Sequence, residues 1–112
     1  MIMKDGEMEK LYKARSLTAR ARVPSHPGLL LEELIARTEK SKAEISRLLG
    51  ISRQQLHAIL TEEKPVSANM AVRIGKLFGD GPGIWLRMQA NYDAWHAAKA
   101  VDVSRIPTLE TA

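Results

Sequence analysis

Two short helical stretches separated by a single glycine constrain this chain more than any other feature. Ser41 stands three residues before Glu44, and Ser52 stands three residues before Gln55. Each pair has capping-box spacing, in which the serine hydroxyl and the Glu or Gln side chain satisfy free amides at a helix start. Gly50 lies between them, where the first helix must stop, and glycine tolerates the left-handed backbone of such a stop. The inward apolar set over this region is Ile45, Leu48, Leu49, Ile51, Leu56, Ile59 and Leu60. Ser52, Arg53, Gln54, His57 and Ala58 are left on the outer face of the second helix.

That outer face has a chemical character. Arg, Gln and Ser are side chains that read base edges in the major groove of DNA. Two helices crossing at a glycine turn, the second with a polar outer face, describe a helix-turn-helix. Arg53 can bond guanine O6 and N7 together, and Gln54 can do the same with adenine N6 and N7. The bland alternative for Arg53 is a phosphate contact alone. Ser52 is chiefly a cap, with a phosphate bond as a second role. His57 lies one turn on and faces a base, a phosphate or plain solvent. Ala58 is small enough to meet a thymine methyl or simply to avoid a clash. Ser41 and Lys42 open the preceding helix, where free amides and a positive charge can hold a phosphate. Arg47 is a weaker phosphate candidate because a carboxylate competes for it.

Bulk properties restrict the class without finding the site. A chain of 112 residues fits one domain. It has no cysteine, which removes disulfides, thiolate metal sites and cysteine nucleophiles and fits a reducing cytoplasm. No apolar run approaches the ~20 residues of a membrane span, and the N-terminus lacks the apolar core of a signal peptide. The net charge of +4 is compatible with an anionic partner. Six basic and three acidic residues place +3 of it in residues 1–24, whereas residues 41–64 carry only +1.

Residues 1–24 have weak helical spacing through Met8, Leu11 and Leu17. They read as a basic N-terminal arm, either mobile or loosely docked, lying along DNA phosphates, or folding on a protein partner. Pro27 suits the first turn of a helix over Leu29 to Thr38, with Leu30, Leu31, Leu34 and Ile35 as its buried stripe. His26 reads as a boundary residue that packs or caps. The polar loop Thr61-Glu62-Glu63-Lys64-Pro65 leads to Ser67, which opens a fourth helix with Met70, Ala71, Ile74, Leu77 and Phe78 inward. A fifth helix spans about Gly83 to Ala100, and residues 101–112 read as an irregular tail. On the fifth helix Trp85, Met88, Gln89, Tyr92 and Trp95 share one face, either core or a dimer or partner interface. The fold class is all-α, a compact five-helix bundle, with the helix-turn-helix domain over residues 25–100.

From His26 to Trp95 the chain resembles the HigA-type, or VapI-type, antitoxin branch of the XRE (lambda-repressor-like) helix-turn-helix proteins. The match is carried by His26-Pro27-Gly28, Leu31-Glu32-Glu33-Leu34, Gly50-Ile51-Ser52-Arg53-Gln54 and Asn69-Met70-Ala71-Val72-Arg73-Ile74. It continues through Phe78-Gly79, Trp85-Leu86-Arg87-Met88-Gln89 and Tyr92-Asp93-Ala94-Trp95. The resemblance implies a homodimer that binds an operator palindrome in double-stranded DNA, represses its own operon and inhibits a HigB-type ribonuclease toxin. The loop after helix three departs from the family pattern Asn-Gly-Lys-Arg. Only Lys64 keeps a clear phosphate contact there, and Glu62 and Glu63 would repel the DNA backbone if they faced it.

No catalytic set emerges. His26, His57 and His96 are dispersed and lack metal-site spacing, so neither an enzyme, a cofactor nor a metal is implied. The alternatives to an antitoxin are a solitary XRE-family repressor without a toxin, or a protein-interaction module that has lost DNA binding.

Overall fold

The computed structural model describes residue 10 and residues 23–110. The basic arm over residues 1–24 therefore falls almost wholly outside the described residues. From residue 23 on, the chain forms five α-helices: α1 Pro27–Thr38, α2 Lys42–Leu49, α3 Arg53–Leu60, α4 Ala68–Phe78 and α5 Gly83–Ala100. No strand occurs among the described residues.

Local signals account for most helix ends. The Ser41, Ser52 and Ser67 hydroxyls accept from the backbone amides of Glu44, Gln55 and Met70 at 3.0–3.1 Å. Each satisfies one orphan amide of its helix. The full reciprocal box closes only at Ser52, whose backbone amide donates to Gln55 Oε1 at 2.8 Å. At Ser41 the box is half made, because the Glu44 carboxylate turns instead to Lys40 (3.5 Å) and Arg47 (3.7 Å). Gly50 ends α2 in the left-handed region at φ 71°.

All five helices contribute to one core. Leu30, Leu31 and Leu34 of α1 meet Ile45, Leu56, Ile74, Phe78 and Trp85 in its fully buried centre. One expectation about inward faces fails. Leu48 is 51% exposed. At ~100° per residue, Ile45, Leu49 and the buried Ser46 span one side of α2, and Leu48 falls outside that arc. Ser46 takes the inward place because its hydroxyl donates to the Ala43 carbonyl at 2.8 Å and leaves no polar atom orphaned.

The aromatic face of α5 also divides. Trp85, Met88 and Gln89, candidates for a dimer or partner interface, are buried in the domain's own interior. The first half of α5 caps the core through Ile84, Trp85 and Met88. Gln89 is a strut within that cap: its Oε1 accepts from the Val66 amide at 2.7 Å and its Nε2 donates to Asp93 Oδ1 at 2.9 Å. Tyr92 and Trp95 are only half-buried. Beyond Ala100, residues 101–110 are exposed and non-helical.

Candidate nucleic-acid interface

The outer face of α3 is built by its cap and its packing. The Ser52 box starts the helix, and Leu56 and Ile59 anchor it to the core. This geometry turns Ser52, Arg53, Gln54 and His57 to solvent, with Ala58 half-buried beside them. Arg53, Gln54, His57 and Ala58 line one open concavity of about 440 Å³, together with Lys42 from the start of α2 and Glu63 from the loop after α3. The structure thus brings together four of the five candidate base-reading residues and one phosphate candidate.

The remaining candidates lie around this group. Ser52 and Ser41 are exposed but have their hydroxyls committed to capping. Lys42 Nζ is 2.8 Å from Glu32 of α1, and Arg47 lies 3.7 Å from Glu44. Both are surface pairs, of the kind worth ~0–1 kcal/mol, that a stronger anion can replace. Lys64 is exposed, and its amide donates to the Ala58 carbonyl at 3.0 Å.

The loop after α3 is held closely to the helix. The Thr61 amide and hydroxyl each donate to the His57 carbonyl at 2.9 Å, and the Glu62 amide donates to the Ile59 carbonyl at 3.1 Å. Glu62 adopts φ 66°, a left-handed conformation that a non-glycine residue enters at a cost. Glu62 lies close enough to His26 to favour its charged form, whereas Glu63 lines the concavity with Arg53.

Three supporting residues carry the geometry; His26 packs and caps as the sequence suggested, whereas Arg73 and Gly28 had no role assigned from it. Arg73 of α4 donates through Nη1 to the carbonyls of Leu49 (2.8 Å) and Gly50 (3.3 Å), while its Nε donates to Asn69 Oδ1 at 2.7 Å. It satisfies orphan carbonyls at the end of α2 and places a positive charge at the negative end of that helix. His26 caps α1, its Nδ1 accepting from the Gly28 amide at 2.9 Å, and its ring stands edge-on to Tyr92 at 5.0 Å. Burial lowers the His26 pKa, partly offset by Glu62, by a hydrogen bond to the Lys64 backbone and by Asp93. Gly28 sits so close to α3 that a Cβ there would come within 2.2 Å of the Ile59 carbonyl oxygen. The sequence pattern His-Pro-Gly is therefore the joint between α1, the end of α3 and α5. The small residue and the buried imidazole were its visible signs.

Among the described residues, no group of three or more His, Asp or Glu is placed to hold a metal ion, and no helix is long and apolar enough to cross a membrane.

No protein-family signature matches the chain. An addiction module antidote protein of the HigA family from Coxiella burnetii superposes with a TM-score of 0.70 at 32% identity, covering 78% of this chain and 98% of that one. The Pseudomonas aeruginosa antitoxin HigA, solved with the higBA promoter, gives a TM-score of 0.64 at 32% identity, covering 69% of this chain and 85% of that one. The uncharacterized HTH-type transcriptional regulator YbaQ of Escherichia coli K12 is 31% identical over 93 residues, covering 79% of this chain and 82% of that protein.

Proposed function

Because the chain belongs to the HigA-type antitoxin family of helix-turn-helix regulators, we infer that it is an operator-binding antitoxin that reads DNA with the exposed face of α3. The observation that carries this reading is the convergence of Arg53, Gln54, His57, Ala58 and Lys42 on one open concavity. Promoter DNA in the solved Pseudomonas relative supports it.

In this reading Arg53 bonds a guanine and Gln54 an adenine, each pair discriminating by ~1–3 kcal/mol. His57 and Ala58 extend the contact along the groove. Ser41, Lys42, Arg47, Lys64 and the Ser52 hydroxyl sit against phosphates and set the register. One reading unit with a local charge near +1 binds weakly, so the functional species is a homodimer on a palindrome. Its two α3 helices enter successive major grooves ~34–36 Å apart. Tyr92 and Trp95 are the residues of the α5 aromatic face still accessible for a dimer or a toxin. The toxin it neutralises is a HigB-type ribonuclease, bound by this same chain.

Fluorescence anisotropy with a duplex from the gene's own promoter and a scrambled duplex tests the DNA reading. Wild type is expected to prefer the promoter, with affinity falling steeply as salt rises through counterion release. Arg53→Ala is expected to lose the preference while keeping the fold. A wild-type protein without preference points to an interaction module that has lost DNA binding. Co-purification with the neighbouring gene product, and loss of that product's RNA cleavage on mixing, tests the antitoxin half. The description of the Escherichia coli relative as a transcriptional regulator favours a second reading, a repressor without a toxin. That reading predicts promoter binding and no effect on any neighbour.

A further inference from the structure

The loop after α3 places a carboxylate in the DNA-reading concavity. Glu63 lines it with Arg53, Gln54 and His57. Its backbone is held in place: the amides of Thr61, Glu62 and Lys64 donate to the His57, Ile59 and Ala58 carbonyls at 2.9–3.1 Å. Glu63, and not its neighbour Glu62, lines the concavity. Position and anchoring therefore both separate Glu63 from an ordinary surface carboxylate.

A carboxylate is a hydrogen-bond acceptor only. Phosphate oxygens repel it, and so do guanine O6 and N7 and thymine O4. Adenine offers an N6 donor, but the N7 acceptor lies beside it. Cytosine presents the N4 amino donor in the major groove, and Glu is one of the side chains that accepts from it. We propose that Glu63 is a specificity-determining residue that accepts a hydrogen bond from a cytosine N4 amino group in each half-site. It penalises duplexes that present an acceptor or a phosphate there. This inference rests on the reading of α3 as the DNA-binding helix and adds one base position to it.

The experiment is selection from a random duplex library with the full chain, followed by anisotropy on the selected sites, for wild type, Glu63→Ala, Glu63→Gln and Arg53→Ala. The wild-type consensus is expected to carry a cytosine per half-site that disappears in Glu63→Ala, while the guanine assigned to Arg53 persists. Replacing that cytosine should weaken wild-type binding roughly 5- to 150-fold, the range of one good base contact, and leave Glu63→Ala almost unaffected. Glu63→Gln should move the preference at that position toward adenine, which Gln reads. An unchanged consensus in Glu63→Ala overturns the proposal and leaves the α3 reading intact. So does a uniform gain in affinity with a steeper salt slope, which would place the carboxylate against phosphate. If wild type enriches no sequence, both the proposal and the α3 reading fail.

Discussion

Arg73 and Leu49 lie 24 residues apart, and the guanidinium of the first donates to the carbonyl of the second at 2.8 Å. This bond ties α4 to the turn between α2 and α3. The turn cannot move without stretching it, and the same guanidinium lies where a Cβ on Gly50 would approach to 2.9 Å. The left-handed glycine and the arginine are thus parts of one joint that sets the angle between α2 and α3.

Arg73→Ala should therefore cost more than a surface change. A hydrogen bond to a charged group contributes ~1.5–3 kcal/mol, and the loss is expected in that range by urea denaturation. Arg73→Lys should recover only part, because a single ammonium cannot hold Leu49, Gly50 and Asn69 in a fixed fork. Promoter affinity should fall in parallel although Arg73 touches no candidate base-reading residue.

Gly28→Ala should destabilise by roughly 1–3 kcal/mol, the range for forcing an extra methyl into a packed site. The added Cβ would stand 2.2 Å from the Ile59 carbonyl, a backbone atom that cannot swing aside. Thermal denaturation reads the loss, and an unchanged melting temperature would show that α1 and α3 can separate freely.

Stability should depend on pH through His26. Burial lowers its folded-state pKa below the ordinary 6.5. The unfolded chain therefore binds the proton first, and stability rises with pH across the interval between the two values. The contribution is fully present above about 6.5 and is lost as pH falls toward the folded pKa. Denaturation at pH 7.5 and at successively lower pH should show this decline, and His26→Asn, which keeps a capping side chain, should flatten it.

Glu62→Gly should stabilise the loop. A non-glycine residue in the left-handed region costs ~1–2 kcal/mol, and the extra entropy that glycine loses on folding returns ~0.5–1 of that. A net gain of a few tenths to about 1 kcal/mol is expected by chemical denaturation. A loss would mean that the attraction between Glu62 and its surroundings outweighs the backbone cost.

The five helices and most of their ends were legible in the sequence because the signals are local. A serine hydroxyl reaches an amide three residues on, a glycine accepts a left-handed turn, and apolar positions recur every three to four residues. Such contacts need no knowledge of the rest of the chain. They were enough to place Arg53, Gln54, His57 and Ala58 on one exposed helical face. Periodicity alone could not say which side of α5 is covered, since Trp85 and Trp95 share a stripe yet only Trp85 is fully buried. Nor could it rank Leu48 against Ser46, because burial depends on what the neighbouring helix presents. The bond from Arg73 to Leu49, the strut from Gln89 to Val66 and the contact of Gly28 with Ile59 join residues far apart in the chain. Tertiary packing also put Glu63, and not Glu62, on the concavity that Arg53 lines. Adjacent residues of identical chemistry carry no sequence mark of which side they face, and only the folded backbone, kinked at Glu62, decides it.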